Sequence, residues 1–322
     1  MFWYGFFLVC LGGSYLDKNY IFNNYISIGR NFIVEKNYLK ALKFFKKAYS
    51  CKEGKDDIEL ILDLAFLYDK IANFDLAEKM YKRVLELDKT NATAYYGLGI
   101  ICDDEGLYEE AIDYYKKAIE YDEKYEKAYF FLANAYDEIG NKEESIINYK
   151  KVLQLNNKDL WANANLGCIY DELGDLQLAI KYMQEALKVN PKHFRILFNM
   201  GVFNNKLNNF NLAEEYYIKS IEENPYYPYS YLNYAVMYRE KEDYKRAIEI
   251  ITEGIKENKD QGFLYYNRAC FYAAINKLEL ALEDVIKSIE LNDFFLEYMK
   301  EDEELDRIRG LEKYIELFSN PF

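Results

Sequence analysis

The chain has 322 residues and a net charge of −14, which arises from 55 acidic and 41 basic side chains. This balance argues against nucleic acid as a ligand, because nucleic-acid binding rests largely on lysine and arginine side chains that neutralise phosphates. The single histidine, His193, excludes catalytic schemes that need two imidazoles and metal sites built from several histidines.

The sequence opens with an apolar segment. Residues 1–13 read MFWYGFFLVCLGG, and no lysine or arginine precedes them. A secretory signal needs a basic start and a membrane-spanning helix needs about 20 apolar residues, so neither pattern is complete. Three interpretations of residues 1–21 therefore stay open: a degenerate signal or membrane anchor, a hydrophobic cap helix, or an over-extended start.

The five cysteines are widely spaced and form neither a CxxC pair nor a cluster with the histidine. They are Cys10, Cys51, Cys102, Cys168 and Cys270. The sequence therefore indicates neither a zinc site nor a disulfide framework. We expect reduced thiols that pack as small apolar groups, which is typical of a cytoplasmic protein. Association with a membrane through residues 1–20 is the alternative location.

A pattern with a period of 34 residues runs through most of the chain. Its clearest element is a row of alanines, interrupted once by Ser145: Ala77, Ala111, Ala179, Ala213, Ala247 and Ala281. Thirteen residues before each member lies a large residue, usually leucine, followed by glycine or alanine. Apolar residues spaced three or four apart predict helices, and turn residues such as Gly106 and Gly174 separate two of them in each repeat. Each repeat is therefore predicted to be a pair of antiparallel helices, A and B.

Eight such repeats fit the sequence, and the first contains a two-residue insertion near Cys51–Asp57. Their predicted bounds are 22–57, 58–91, 92–125, 126–159, 160–193, 194–227, 228–261 and 262–295. Residues 296–322 carry apolar residues at helical spacing among charges, which predicts a C-terminal capping helix, because the last repeat of such an array needs a polar outer face. The length alone suggests two domains, but the repeats predict one solenoid.

The repeat pattern resembles the tetratricopeptide repeat. Residues 160–193 match that pattern well, with Leu166, Gly167, Tyr170, Ala179, Ala186 and Pro191 at the expected places. Departures are local, since Arg268 replaces a leucine, Ser145 an alanine and Asn204 a tyrosine. The resemblance implies an all-α fold, a right-handed α-solenoid of tandem helix-turn-helix repeats, with an ending similar to that of many bacterial proteins of this type. It also implies that helix A lines a concave groove, chiefly through positions 2, 5, 6, 9, 12 and 13 of each repeat.

A row of asparagines recurs at position 6 of four consecutive repeats. Its members are Asn165, Asn199, Asn233 and Asn267. A carboxamide can donate to a peptide C=O and accept from a peptide N–H, so such a row can hold an extended peptide whatever its side chains. The alternative is a local hydrogen bond between neighbouring helices.

A row of aspartates and a set of aromatic residues also fall on predicted groove positions. The aspartates occupy position 12: Asp69, Asp103, Asp137 and Asp171. They predict a negative groove that favours lysine- or arginine-rich ligands, and a plain solvated surface is the alternative. The aromatic residues are candidate apolar anchors for a ligand: Phe130, Trp161, Phe198, Tyr229 and Tyr266.

These features predict a non-catalytic protein–protein interaction scaffold that binds an extended, partly basic peptide in its groove, without cofactor or metal. No nucleophile–base pair or phosphate-binding glycine loop suggests an enzyme. The clamp by which some related proteins hold acidic tails is disfavoured, because Arg30, Leu62 and Asp63 stand among its positions in the early repeats. The alternative function is a membrane-associated assembly or anchoring factor that is held by the apolar N-terminus.

Overall fold

A computed structural model describes residues 18–318 of the chain. These residues form consecutive helix pairs with no β-strand among them, so the predicted all-α fold of helix-turn-helix repeats is confirmed. They fall into two compact units, one ending at Asn157 and the other starting at Lys158. Residues 1–17, which include Cys10 and the whole apolar run at residues 1–13, lie outside the described residues. No helix between residues 18 and 318 combines the length and apolar character needed to cross a membrane.

The N-terminal unit, described from residue 18 to residue 157, contains four helix pairs. Its helices are α1 (Lys18–Val34), α2 (Tyr38–Tyr49), α3 (Ile58–Lys70), α4 (Phe74–Leu87), α5 (Ala92–Asp104), α6 (Tyr108–Tyr121), α7 (Glu126–Glu138) and α8 (Lys142–Leu155). A short 3₁₀ helix, η1 (Glu53–Lys55), occupies the insertion that the sequence indicates after α2. Helix α1 begins four residues before the predicted start of the first repeat.

The C-terminal unit, described from residue 158 to residue 318, contains four more pairs and a C-terminal cap. Its paired helices are α9 (Leu160–Glu172), α10 (Leu176–Val189), α11 (Phe194–Lys206), α12 (Phe210–Glu223), α13 (Pro228–Arg239), α14 (Tyr244–Glu257), α15 (Gly262–Ala274) and α16 (Leu278–Leu291). The cap consists of α17 (Phe294–Glu301), the 3₁₀ helix η2 (Glu303–Gly310) and α18 (Glu312–Phe318). The expectation of a single capping helix over 296–322 is therefore wrong, because extended backbone at Asp302 and Leu311 interrupts it.

Local side-chain chemistry fixes where the helices begin. Asn73, Asn141 and Asp175 each precede a helix B, and the side-chain oxygen of each accepts a hydrogen bond from the backbone N–H three residues later. This bond satisfies one of the four N–H groups that lack a partner at a helix start. The same capping occurs before α9, where Asp159 accepts from the N–H of Ala162 at 2.7 Å.

Small residues allow the two helices of a repeat to approach each other. The alanine row is fully buried, and so is Ser145 within it. On the facing helix, a Cβ added to Gly99 would lie 2.5 Å from the ring of Tyr115, and one added to Gly201 would lie 2.7 Å from the ring of Tyr217. The glycine and alanine positions therefore make room for the large side chain of helix B, as the sequence pattern indicates.

Candidate peptide-binding surface

Helices α9, α11, α13 and α15 are the A helices of the C-terminal unit, and each presents positions 2 and 6 on one face. Residues four apart in a helix lie above one another, so the position-2 side chain stands next to the asparagine of the same repeat. We call the four position-2 residues, Trp161, Arg195, Tyr229 and Phe263, the position-2 strip. Trp161 and Tyr229 are each 48% exposed, which leaves large aromatic surface for a ligand.

The asparagine row is oriented by hydrogen bonds within the protein. Nδ2 of Asn233 donates to the carbonyl of Tyr229 at 3.0 Å, and Nδ2 of Asn267 donates to the carbonyl of Phe263 at 2.8 Å. Nδ2 of Asn199 donates to Sγ of Cys168 on α9 at 3.6 Å, which is a bond between neighbouring A helices. Asn165 also interacts within the protein. Part of the row's donor capacity is therefore used locally.

The side-chain oxygens of three members of the asparagine row differ from the Nδ2 atoms, because they remain available as acceptors. Within residues 18–318, Oδ1 of Asn199, Asn233 and Asn267 accepts no hydrogen bond. These three side chains are half-buried rather than enclosed, so water or a ligand can reach them. Because Nδ2 of each is already held, the carboxamides are fixed in orientation and their oxygens are ready to accept a bond.

A continuous line of rings borders the asparagine row. Successive ring centroids are 5.0–5.7 Å apart along Trp161, His193, Phe194, Tyr227, Tyr229 and Phe263. These separations lie in the range of favourable aromatic pairs. Burial and the nearby charge of Arg195 lower the pKa of His193, so its neutral ring packs as a further aromatic group. The starts of four successive A helices are thus joined by aromatic contacts.

The other predicted aromatic anchors have different surroundings. Phe130 is half-buried against Tyr149, and Phe198 is half-buried against Tyr227. Tyr266 is only 4% exposed, and its hydroxyl donates to Oδ2 of Asp302 in the cap at 2.6 Å. The expectation that Tyr266 lines a binding groove is therefore wrong, because the cap covers this side chain.

Most of the aspartate row already has a cationic partner. Asp69 pairs with Lys70 at 3.1 Å, Asp137 with Lys142 at 2.8 Å, and Asp171 with Lys206 at 2.6 Å. The fourth member, Asp103, has the acidic neighbours Asp104 and Glu138.

Asp103 accepts a hydrogen bond from the hydroxyl of Tyr115 at 3.1 Å and has no cationic partner within the described residues. Burial raises the pKa of Asp103, and the charges of Asp104 and Glu138 raise it further. Asp103, Asp104 and Glu138 therefore form an acidic surface in the N-terminal unit.

Two members of the position-2 strip, Arg195 and Phe263, were not predicted from the sequence. Arg195 is exposed, its guanidinium carbon lies 5.7 Å from the centroid of Phe194, and no carboxylate within residues 18–318 pairs with it. The signal was present, because each residue lies four positions before an asparagine of the row. Among the described residues no group of three histidine, cysteine or acidic side chains could hold a metal ion.

Models of the tetratricopeptide repeat match most of the paired helices. The matches span residues 58–91, 92–125, 126–159, 162–193, 194–227 and 216–249, which is more than half of the chain. The chain belongs to the tetratricopeptide repeat family. No curated protein sequence matches this tetratricopeptide repeat protein significantly.

Solved structures with a similar fold include two that are described as tetratricopeptide repeat proteins. YrrB, described as a TPR protein with an unusual peptide-binding site, is 25% identical with a TM-score of 0.50, and the match covers 58% of this chain and 95% of YrrB. A tetratricopeptide repeat protein from Parabacteroides merdae is 22% identical with a TM-score of 0.59, over 77% of this chain and 98% of that one. PilF of Pseudomonas aeruginosa is 17% identical with a TM-score of 0.58, over 70% and 98%. The last two similarities concern the fold alone.

Proposed function

We propose that this chain is a non-catalytic scaffold that binds an extended segment of a partner protein, with its main site on α9, α11, α13 and α15. Tetratricopeptide repeats are protein-interaction scaffolds, which makes a protein partner the natural ligand. The observation that carries the proposal is that oriented asparagine oxygens and exposed aromatic rings lie on the same face of these helices. Asn233 and Asn267 offer the oxygens, and Trp161 and Tyr229 offer the rings.

An extended peptide suits this arrangement because its backbone has one donor and one acceptor at each residue. Each oriented Oδ1 can accept a bond from a ligand N–H, and the second hydrogen of Nδ2 can donate to a ligand C=O. The exposed rings add apolar contact area, and aromatic anchors dominate the energetics of many interfaces. The similarity to YrrB supports a peptide as the class of ligand.

The asparagine row is tested by affinity capture with mass spectrometry, using the double variant Asn199→Ala and Asn233→Ala as bait beside the wild type. Each substitution removes an acceptor and a donor, so we expect partners captured by the wild type to be lost or strongly depleted. Asn211→Ala is the matched control, because Asn211 is exposed on helix B of a repeat and lies off this face. Equal capture by the wild type and the double variant would exclude a role for the asparagine row.

The aspartate row supports a ligand with a basic portion, and the acidic surface of the N-terminal unit is where such a portion would bind. Asp104 and Glu138 are exposed and lie near Asp103, which has no cationic partner within the described residues. The double variant Asp104→Asn and Glu138→Gln should weaken binding of a lysine-rich peptide severalfold and reduce its dependence on salt. Asp113→Asn, an exposed change on α6, is the control. If the wild type, the double variant and Asp113→Asn bind the peptide with the same dependence on salt, a basic ligand segment does not bind at Asp104 and Glu138.

The apolar run at residues 1–13 supports a second function, attachment to a membrane. Fractionation of cells that express the full chain, compared with a chain that starts at Lys18, tests this alternative. Membrane association of the full chain alone supports an anchoring role for the apolar run. Recovery of both proteins in the soluble fraction would exclude it.

A further inference from the structure

We propose that the position-2 strip recognises a peptide in which one carboxylate side chain is flanked on both sides by apolar or aromatic residues. This inference rests on the proposed function and specifies the ligand of the same surface. The carboxylate pairs with Arg195, and the flanking side chains pack on Trp161 to one side and on Tyr229 and Phe263 to the other.

The charge of Arg195 is the first argument. Nearby cations of this unit are already paired, as Lys192 is with Glu223 at 2.9 Å and Lys206 is with Asp171 at 2.6 Å. Arg195 has no such partner within the described residues, and none of the eight residues at positions 2 and 6 of these repeats is acidic. A ligand carboxylate would complete the pairing, since the planar guanidinium can donate two parallel hydrogen bonds to it.

The aromatic setting of Arg195 is the second argument. Its guanidinium lies near the face of Phe194, and that ring contacts His193 at 5.7 Å and Tyr227 at 5.0 Å. An arginine on an aromatic face loses less conformational freedom when it binds a carboxylate than a freely rotating side chain would. The apolar neighbours also exclude water on one side, which strengthens a charged hydrogen bond.

The spacing of the A helices predicts the spacing of the ligand side chains. Helices that pack against each other are about 8–10 Å apart, and an extended chain advances about 3.3 Å per residue. One repeat therefore corresponds to about three residues of ligand. The ligand should carry an apolar residue, an aspartate or glutamate about three residues later, and an apolar or aromatic residue about three residues after that. This order reads the same in both chain directions.

The test uses fluorescein-labelled peptides in a serine and glycine background, with leucine, glutamate and phenylalanine at this spacing. Matched peptides carry glutamine or lysine in place of the glutamate. For the full chain we expect the glutamate peptide to bind about tenfold more tightly than the glutamine peptide, and the lysine peptide to bind most weakly. Fluorescence anisotropy measures each affinity.

Variants of the protein assign this preference to Arg195. Arg195→Gln should abolish the preference for glutamate over glutamine, whereas Arg195→Lys should keep part of the preference. Lys192→Gln is the matched control, because it removes an equal charge from the turn just before α11, but one that Glu223 already pairs. Loss of the preference in the control as well would overturn the assignment to Arg195.

The outcomes separate this inference from the proposed function. Equal binding of glutamate and glutamine peptides, both weakened by the double variant Asn199→Ala and Asn233→Ala, would overturn the carboxylate pairing while supporting peptide binding. Absence of binding by every peptide would overturn both. Tighter binding of a single-stranded oligouridylate than of the glutamate peptide would also overturn the inference, because the rings and Arg195 would then act as a base-stacking surface.

Discussion

Arg268 occupies the position that leucine fills in four of the eight repeats, and its guanidinium is held between α14 and α16. It donates two hydrogen bonds to Asp284 on α16, at 2.7 and 2.8 Å, and a third to Oγ1 of Thr252 on α14 at 3.0 Å. Both partners of the ion pair are largely buried, with side chains 15% and 9% exposed. The buried charge of Arg268 is therefore compensated by a carboxylate on the next helix.

Removing one partner of this pair should cost far more than removing both. Asp284→Ile leaves a buried guanidinium without its carboxylate, and we expect a loss of about 3–5 kcal/mol in the free energy of unfolding. Adding Arg268→Leu restores the residue typical of the repeat and should recover most of that loss. Urea unfolding of the single and double variants measures the difference. Equal losses in both would show that the ion pair is not what stabilises this site.

Ser145 stands where the other repeats have alanine. The residue is fully buried, and its hydroxyl has no hydrogen-bond partner among residues 18–318. A buried polar group without a partner costs stability, so Ser145→Ala should stabilise the protein by about 1–2 kcal/mol. Ser220 is the control, because its hydroxyl bonds to the carbonyl of Phe194 and to Ser230, each at 2.8 Å. Ser220→Ala should therefore destabilise the protein, and thermal unfolding compares the two. The same sign for both changes would contradict this argument.

At the scale of the helix pair, the turn between helices A and B needs a left-handed residue at position 15 of each repeat. Gly106, Gly140 and Gly174 supply it with φ of 76–79°. The other repeats use Lys36, Ala72, Asn208, Glu242 and Asn276, with φ of 56–60°. A side chain with a Cβ costs about 1–2 kcal/mol in this conformation, and glycine avoids that cost.

Glu242→Gly should therefore stabilise the turn between α13 and α14 by about 0.5–1 kcal/mol, after the larger entropy of glycine in the unfolded chain is subtracted. Gly140→Ala is the opposite change at the same position of another repeat and should destabilise the protein by a similar amount. Chemical unfolding of both variants measures these effects. A loss of stability on Glu242→Gly would mean that the glutamate makes a contact that outweighs backbone strain.

The sequence predicts the helices and turns better than it predicts the candidate binding surface, and the reason is physical. Periodic alanines and leucines specify helix pairs, because packing imposes the same requirement in every repeat. A ligand imposes no such period on the side chains that contact it, so the 34-residue pattern does not identify Arg195, which interrupts a row of aromatic residues. The repeat pattern predicts that Tyr266 lines the groove, but Asp302 and Phe295 of the cap cover this side chain. The pattern contains no information about how the cap packs on the last repeat. The asparagine row is visible in the sequence, whereas the hydrogen bonds of its side chains depend on the geometry of the helices.

At the scale of the whole molecule, the buried apolar residues between positions 18 and 318 form several separate clusters rather than one core. One cluster extends from Phe22 to Ile101, and another extends from Ala213 to Tyr314 and includes the cap. In repeat proteins each repeat contacts only its neighbours, so stability is approximately a sum of local contributions. A defect in the cap should accordingly loosen the repeats beside it and leave distant repeats unchanged.

Ile308 tests this expectation, because it is fully buried in η2. Ile308→Ala should cost about 2–5 kcal/mol through lost burial and the cavity that remains. Hydrogen exchange measured by mass spectrometry should then show faster exchange in α15, α16 and α17, and unchanged exchange in α3 to α6. Ile315→Ala is the control, since Ile315 is 45% exposed on α18 and should change little. Faster exchange in α3 to α6 on Ile308→Ala would show instead that the whole chain opens as one cooperative unit, and that the cap stabilises every repeat rather than its neighbours.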